Sequence, residues 1–223
     1  TLNSAPDYET QTSFSATVTA SDGTNSAEQA ITVSINNLND NSPVITSDAS
    51  FSTDENDISF GSVEATDADN DTLTYSVTGT EIIIVPLTGG MYFDSPPDYE
   101  MQTSYSATVT VSDGSNTVDQ VITVSINDLD DEAPSFTSSS SFSVDENQTA
   151  IGTVTATDAD TDDSSIVFTI SGSDISIDSS TGVMTLNSAP DYETQTSFSA
   201  TVTASDGTNS AEQAITVSIN NLN

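Results

Sequence analysis

The stretch FSATVTASDGTNSAEQAITVSIN, residues 198–220, alternates apolar and small polar residues on either side of a turn. Its apolar positions include Phe198 and Val202 in the first half and Ile215 and Val217 in the second. A spacing of two residues is typical of a half-buried β-strand, and the Asp-Gly pair between the two halves predicts a tight turn. The stretch therefore predicts a β-hairpin with one buried face.

The rest of the chain is organised around copies of this hairpin. Residues 1–39 reappear without a single change as residues 185–223, and residues 97–128 are a close variant of residues 190–221. Such a repeat indicates a tandem array of modules of about ninety residues each. We predict three parts: residues 1–39 as the C-terminal half of a module, residues 40–130 as a complete module, and residues 131–223 as a second complete module.

The remaining apolar runs also favour strands. Residues 166–170, IVFTI, repeat the two-residue spacing, and Ser-Asp-Gly and Ser-Thr-Gly triplets supply turns between the runs. No stretch shows a sustained helical period. About seven short strands per module, rich in Thr, Val and Ile, predict an all-β fold of antiparallel β-sandwiches.

The charged side chains of the protein are all acidic. It contains 35 Asp and Glu residues and no Lys, Arg or His, which gives a formal net charge of −35. A chain with no basic residue has no means of binding phosphates, so nucleic acid and anionic membrane surfaces are poor partners. Because like charges repel in a compact state, we expect dissolved cations to join the carboxylates.

Acidic motifs recur at fixed places in the modules. They are DEN at 54–56 and 145–147, DAD at 67–69 and 158–160, PDYE at 6–9, 97–100 and 190–193, SDG at 21–23, 112–114 and 205–207, and the hinges NLNDNSP at 37–43 and DLDDEAP at 128–134. In an extended chain, residues two apart point to the same side, which would pair Asp98 with Glu100 and Asp67 with Asp69. Carboxylate and amide oxygens are the ligands that calcium prefers, so the motifs predict Ca²⁺ sites.

Taken in order, DEN, DAD, PDYE, SDG and NLNDNSP resemble the calcium-binding motifs of cadherin repeats, over nearly the whole chain. The resemblance implies tandem antiparallel Greek-key β-sandwiches, cadherin- or immunoglobulin-like, in a linear array. It also implies that three calcium ions gather at each junction between modules. The hinges, limited by Pro43 and Pro134, would then be flexible when empty and stiff when calcium is shared across them.

The resemblance assigns ligands residue by residue. For the first junction they are Asp7, Glu9, Asn37, Asn39, Asp40, Asn41, Asp67, Asp69 and Asp113. For the second they are Glu55, Asp98, Glu100, Asp128, Asp130, Asp131, Glu132, Asp158, Asp160 and Asp206. The equivalent acids of the last module are Glu146, Asp191 and Glu193.

The two predicted junctions differ. The counterpart of Glu55 for the first junction belongs to a half-module that precedes residue 1, which predicts a weakened site there. Asn37 stands where the family usually has Asp, whereas Asp130 and Glu132 stand where it usually has Asn. We therefore expect different calcium affinities at the two junctions.

The function implied is that of an extracellular, cell-surface adhesin or stalk segment, stiffened by calcium, whose partners are tandem copies of the module. A cell-surface protein or polysaccharide and self-association are further predicted partners. A carbohydrate-binding module and a filament subunit remain alternatives. An enzyme is disfavoured, since acid pairs that recur in every module suit a structural ion site better than one active site. The absence of Lys and Arg and the unchanged duplication resemble giant bacterial surface proteins.

Overall fold

A computed structural model describes residues 1–160 and 165–222 of the chain. Its strands divide between two compact units, Thr1–Asn127 and Asp128–Asn223. The architecture is all-β, as the two-residue spacing predicts. Within the described ranges, no helix has the length and apolar character needed to cross a membrane.

The first unit contains three main sheets and one small one. Its strands are β1 (Ser13–Ser21), β2 (Ser26–Ser34), β3 (Val44–Ile45), β4 (Ser50–Asp54), β5 (Ser59–Ser62), β6 (Ala65–Thr66), β7 (Thr74–Val77), β8 (Ile82–Ile84), β9 (Gly90–Phe93), β10 (Ser104–Ser112) and β11 (Thr117–Asn127). The sheet orders are β4-β11-β10-β7, β5-β9-β8 and the pair β3-β6, while β1 and β2 form a separate two-stranded sheet.

The core of the first unit lies between the four-stranded and the three-stranded sheet. Alternate residues of β10 and β11, such as Val109 and Ile122, are fully buried. They belong to one apolar cluster with Phe60, Met91 and Phe93 of the opposite sheet. The two-residue period of these strands thus places one face of each sheet in a shared core.

The second unit repeats this arrangement. Its strands are β12 (Ser135–Phe136), β13 (Ser141–Asp145), β14 (Ala150–Thr153), β15 (Ala156–Thr157), β16 (Val167–Ile170), β17 (Ile175–Ile177), β18 (Val183–Leu186), β19 (Ser197–Ser205) and β20 (Ser210–Asn220). The sheet orders are β13-β20-β19-β16, β14-β18-β17 and β12-β15. The hairpin predicted over residues 198–220 is the pair β19 and β20, with Val202, Ile215 and Val217 buried.

One strand pairing in each unit is parallel. β4 runs parallel to β11, and β13 runs parallel to β20, whereas every other described pairing is antiparallel. A parallel neighbour requires a long connection, and here the connection consists of the strands that lie between the two partners in sequence. Each four-stranded sheet is therefore antiparallel except for one parallel edge strand, β4 or β13.

Candidate metal centre

Five acids of the first unit form a cluster, here called the Asp69 cluster. It combines two overlapping groups: Glu9, Asp40 and Asp69, and Asp67, Asp69 and Asp71. Within each group, one carboxylate oxygen of every residue lies within 4.8 Å of the others. Asp69 is buried, although the chain has no basic side chain to neutralise it. Oxygen ligands at this spacing suit a hard divalent cation.

The hinge residues 37–41 are attached to the DAD loop by hydrogen bonds. Asp69 Oδ2 accepts the backbone N–H groups of Asp40 at 3.1 Å and of Asn41 at 2.9 Å. The Asn37 Nδ2 group donates to the Asp69 carbonyl oxygen at 2.9 Å. This network holds the hinge against the DAD loop, and the Asp40 carboxylate lies beside that of Asp69.

The SDG loop supports the hinge from another side. Asn39 Nδ2 donates to the carbonyl oxygen of Asp113 at 3.2 Å. Asn116 Nδ2 donates to Asn39 Oδ1 at 3.3 Å and to the Asn41 carbonyl at 3.0 Å. The buried Asp113 side chain closes the loop by accepting the Ser115 and Asn116 amides at 2.7 and 2.6 Å. The amides of the hinge therefore act mainly as structural ties.

The two oxygens of Asp67 have different surroundings. Oδ1 closes a turn by accepting the N–H groups of Asp69 at 2.9 Å and of Asp71 at 3.3 Å. Oδ2 is buried and accepts no hydrogen bond from the described residues. A buried acceptor without a partner is costly, and an ion beside it would remove that cost. Asp160 Oδ1 and Asp206 Oδ2 of the second unit are in the same condition.

The PDYE and DAD motifs lie in turns. The prediction that these motifs are extended was therefore wrong. The N–H of Gln102 donates to the Asp98 carbonyl oxygen at 2.9 Å, and Gln195 does the same to Asp191 at 2.9 Å. Asn70 N–H likewise reaches back to the Asp67 carbonyl at 3.4 Å. Alternation in a strand therefore does not explain the acid pairs. Turns formed by the Asp side chains bring the oxygens together instead.

The pKa values of the cluster reflect crowding of like charges. Partial burial raises the pKa of Glu9, and nearby Asp69 and Asp7 add to this rise. Burial also raises the pKa of Asp71, with further contributions from the charges of Asp67, Asp69 and Asp113. The backbone N–H of Asn41 lowers the pKa of Asp69. The pKa values of Glu9 and Asp71 are thus shifted upward and that of Asp69 downward, and a divalent ion nearby would favour the charged form of all three carboxylates.

The second unit builds the same hinge attachment. Asp160 Oδ2 accepts the N–H groups of Asp131 at 2.9 Å and of Glu132 at 2.7 Å, as Asp69 does for its own hinge. Thr208 donates its hydroxyl to Asp130 Oδ2 at 2.7 Å, and Asn209 Nδ2 donates to the Asp130 carbonyl at 3.1 Å. Hinge residues 130–132 are therefore tied to the DAD and SDG loops of the second unit.

A further acid group lies within the second unit and consists of Glu146, Asp191 and Glu193. Buried Glu146 accepts the N–H of Leu222 at 2.6 Å and of Tyr192 at 3.4 Å. The shared contact with Asp191 raises the pKa of Glu193. Glu55 of the first unit is equally buried and accepts the Tyr99 N–H at 2.8 Å. The DEN glutamates thus anchor the turns that carry the PDYE acids.

Only some of the predicted ligand residues lie together in an acid group. Glu9, Asp40, Asp67 and Asp69 belong to the Asp69 cluster, whereas the Asp7 carboxylate accepts hydrogen bonds from the Glu9 and Thr10 amides and the Thr10 hydroxyl. The Asp98 carboxylate similarly accepts the Met101 N–H at 2.9 Å. The grouping of the second junction, which includes Glu100, Asp128 and Asp158, remains a prediction from sequence.

Sequence reasoning missed two residues of this site. Asp71 joins Asp67 and Asp69, and Asn116 ties the hinge to the SDG loop. The run DADND at 67–71 places acids at every second position. This spacing could have predicted that Asp71 lies near Asp67 and Asp69. Nothing in the local sequence marks Asn116, because its partners Asn39 and Asn41 are more than seventy residues away.

Comparison with known proteins agrees with the fold and the motifs. The family model for the cadherin domain matches residues 140–220. Human Protocadherin Fat 1 is 32% identical over an alignment of 168 positions that covers 69% of this chain and 4% of that protein. The fold and the acid-lined hinges thus place the chain among proteins with cadherin-type repeats, and it spans only a small part of that relative's length.

Solved structures show the same fold. The Protocadherin GammaB4 extracellular domain superposes with a TM-score of 0.78 at 23% identity, covering 98% of this chain and 38% of that one. Mouse Cadherin-23 EC22-24 superposes with a TM-score of 0.72 at 25% identity, covering 99% and 78%. The named relatives from human and mouse are animal proteins and give no support to a bacterial origin.

Proposed function

We propose that this chain is a calcium-stiffened segment of an extracellular cell-surface protein that mediates or extends cell adhesion. In this proposal residues 1–39 are half a module, and residues 40–130 and 131–223 are complete modules in tandem. The relatives are cadherins and protocadherins, and one solved neighbour is the extracellular domain of Protocadherin GammaB4. A role as an enzyme has no support from these relatives.

One observation carries the calcium proposal: buried, unsatisfied carboxylate oxygen lies in an acid cluster of a chain that has no basic side chain. Asp67 Oδ2 is such an atom. Asp67 also belongs to an acid group with Asp69 and Asp71. The donor set consists of oxygen alone, because the chain contains no Cys or His. A hard cation of the calcium type therefore fits these residues better than zinc or another soft metal.

The residues that would hold the ion come from three parts of the chain. Glu9 belongs to the PDYE turn before the hinge, Asp40 to the hinge, and Asp69 to the DAD loop after it. When bound, calcium would supply positive charge shared by these carboxylates. Glu9 and Asp40 would then be restrained against the loop of Asp67 and Asp69, and the hinge would lose freedom. The stiffness of the proposed stalk would depend on this restraint.

The test is Asp67→Asn. The Asn carbonyl keeps an acceptor for the turn that Oδ1 closes, while the buried Oδ2 position becomes an amide that cannot bind a cation. We expect calcium to slow hydrogen exchange at the amides of residues 37–41 in the wild type. In Asp67→Asn this response should require at least roughly tenfold more calcium.

The matched control is Asp178→Asn. Asp178 Oδ1 also closes a turn, by accepting the Ser180 and Thr181 amides at 3.2 and 2.9 Å, and belongs to none of the acid groups. This variant should keep the wild-type calcium response in residues 37–41. An unchanged response in Asp67→Asn, or equal losses in both variants, would count against the proposed site.

The adhesion partner, self-association, the carbohydrate-binding module and the filament subunit remain predictions. One solved neighbour, Protocadherin gammaB7 EC3-6, is described as a cis-dimer, which is a property of that protein. For this chain, sedimentation with and without calcium would test self-association, and a glycan array would test carbohydrate binding.

A further inference from the structure

The strand pairs β8–β9 and β17–β18 are equivalent in the two units but carry different outward-facing side chains. Ile83 lies opposite Tyr92 in the first pair, and Ser176 lies opposite Thr185 in the second. The first unit has Ile83, Val85, Leu87 and Tyr92 at the positions where the second unit has Ser176, Asp178, Ser180 and Thr185. We call these four apolar residues the β8 patch. Because the second unit builds the same fold with polar residues at all four positions, the fold does not require the apolar ones.

The β8 patch is accessible to solvent. Leu87 is 72% exposed, Val85 is 38% exposed, Tyr92 is 36% exposed, and Ile83 is half-buried. The Val85 N–H donates to the Gly90 carbonyl oxygen at 2.8 Å, and Gly90 is two residues before Tyr92. Residues two apart in a strand share a face, so Ile83, Val85 and Tyr92 lie on one side of the sheet. Adjacent apolar side chains on an open face mark an interaction surface.

The same strand has a free edge. β8 lies at the end of its sheet, and β9 is its only partner among the described strands. Since Val85 bonds to β9, the alternation of an antiparallel pair points the N–H and C=O groups of Ile82 and Ile84 away from β9. A free edge can accept an added strand, and charged side chains commonly protect it. Asp178 follows β17 in the second unit, but Val85 stands at the equivalent position after β8.

An acid-lined cleft lies at the other end of β8. It has a volume of about 190 Å³, and Glu81, Asp94, Phe93 and Tyr105 contribute to its lining. Glu81 and Asp94 are neighbours across the strand pair, because the Asp94 N–H donates to the Glu81 carbonyl oxygen at 2.9 Å. The ring centroids of Phe93 and Tyr105 are 4.7 Å apart. A Lys or Arg side chain suits such a cleft, since its charge pairs with carboxylates and its stem packs against rings.

The second unit closes the equivalent corner with an amide. Asn187 stands in the place of Asp94. Its Nδ2 group donates to the Ser173 carbonyl oxygen at 2.6 Å, and its Oδ1 accepts the Ser176 hydroxyl at 2.5 Å. In the first unit Ile83 replaces that serine, so this cross-strand bond cannot form. The apolar face and the acid pair therefore replace a polar, self-contained corner.

We propose that the free edge of β8 binds an extended segment of a separate, basic protein. Every second side chain of this segment is apolar and packs on the β8 patch, and a Lys or Arg at one end enters the cleft beside Glu81 and Asp94. The segment adds to the sheet as a strand and forms hydrogen bonds with the backbone of Ile82 and Ile84. Its charge also speeds the encounter with a chain of net charge −35.

A second copy of this chain is a poorer occupant. It contains no Lys, Arg or His, so it brings no cationic side chain to the cleft. Two chains that each carry a net charge of −35 also repel one another as they approach. Charge complementarity therefore favours a basic partner over self-association at this edge.

The probe is a capped heptapeptide with Arg at both ends and two Val that alternate with three Thr between them. It presents the same pattern of side chains in either strand direction. We expect saturable binding to the full chain by isothermal titration calorimetry. We also expect slower hydrogen exchange at the amides of Ile82 and Ile84, which face the free edge, and little change at Ile83, whose amide faces β9.

The variants exchange single residues of the first unit for those of the second. Ile83→Ser and Tyr92→Thr leave the net charge unchanged and should each weaken binding at least about fivefold, because apolar contact is lost. Asp94→Asn should weaken binding and reduce its dependence on salt. The control Val121→Thr alters a residue that is 63% exposed on the four-stranded sheet and should bind as the wild type does.

Three results would overturn the proposal. The first is the absence of saturable binding. The second is equal binding by the wild type and Ile83→Ser, which would show that net charge alone attracts the peptide. The third is dimerisation of the chain alone with protection of the Ile82 and Ile84 amides, which would assign the edge to a second copy. The surface contains no residue of the Asp69 cluster, so binding is expected in calcium and in chelator, and failure in both would leave the calcium proposal untouched.

Discussion

At the scale of single residues, Asp67 combines a structural role with a proposed ion-binding role in one carboxylate. Asp67 closes its turn with Oδ1 and leaves Oδ2 buried without a hydrogen bond from the described residues. Asp113 closes its loop with Oδ1 by accepting the Ser115 and Asn116 amides. An Asp at these positions therefore shapes the loop even without an ion, which explains why short turns can hold several like charges close together.

The pH dependence of the calcium-free protein follows from Asp71. Its pKa is raised by burial and by nearby acids, so the folded protein holds this proton more tightly than the unfolded chain. The stabilising contribution is present below the unfolded pKa and is lost as the pH rises through the folded pKa. In chelator at pH 7, Asp71→Asn should melt at a higher temperature than the wild type, and the difference should vanish near pH 3.

The control for this experiment is Asp48→Asn, which removes one charge at an exposed position. It should shift the melting temperature little at either pH, because a solvated charge interacts weakly with its neighbours. In saturating calcium the sign should reverse for Asp71→Asn, since a ligand has been removed. A higher melting temperature for Asp71→Asn under all conditions would argue that Asp71 does not serve the ion.

A second residue-scale prediction concerns Gly182, whose φ is +68°. A Cβ there would lie 2.2 Å from the Val154 carbonyl oxygen. Only a movement of the backbone could relieve this steric clash. Gly182→Ala should therefore destabilise the second unit by more than about 2 kcal/mol, measured by calorimetry. Gly172, at φ +90° with open space around its Cβ position, is the control, and Gly172→Ala should cost only about 1 kcal/mol.

At the scale of elements, the duplicated hairpin separates local sequence from tertiary context. β1 with β2 and β19 with β20 have equivalent antiparallel registers, from Ser13 opposite Ser34 and from Ser197 opposite Ser218. The local sequence thus determines the turn and the pairing of the two strands. Burial of their apolar face requires the strands that precede the hairpin in a complete module.

This contrast predicts unequal effects of one substitution at two identical positions. Ile215→Ala should destabilise the second unit by about 2–5 kcal/mol, because it leaves a cavity in a closed core. Ile31→Ala should change stability by less than about 0.5 kcal/mol, because its side chain is already 41% exposed and lies in no closed core. Calorimetry of both variants provides the measurement. Similar losses at the two positions would mean that the first hairpin has a core of its own.

At the scale of the whole molecule, a net charge of −35 opposes compaction unless cations accumulate. Sites of extracellular calcium modules bind at about 10⁻⁴–10⁻³ M. At about 10 mM calcium, each site specific to the folded state should add roughly 1–3 kcal/mol. We therefore expect chelation to lower the melting temperature by roughly 5 °C or more in a thermal unfolding experiment.

Sodium chloride at matched ionic strength is the control for the calcium prediction. It screens exposed charges but does not replace a multidentate ligand set, so it should restore only part of the lost stability. Full recovery in sodium chloride would show that screening alone stabilises the chain.

The sequence by itself determined the strands, the repeat and the all-oxygen chemistry of the acidic clusters. The two-residue period of segments such as 198–220 places every second side chain on one face, and this depends only on local backbone geometry. The absence of basic residues likewise determined that acids would gather without internal counter-ions. These properties require no knowledge of distant contacts.

Only the tertiary structure decided which acids meet and which apolar faces are covered. The acids of the PDYE motif lie in a turn rather than a strand, and Asp71 and Asn116 join the site through contacts with the DAD loop and with a hinge over seventy residues away. Val18 and Val202 have identical sequence neighbours, yet one is exposed and the other buried. The reason is that burial and charge proximity are properties of neighbours in space, which a repeated sequence cannot distinguish.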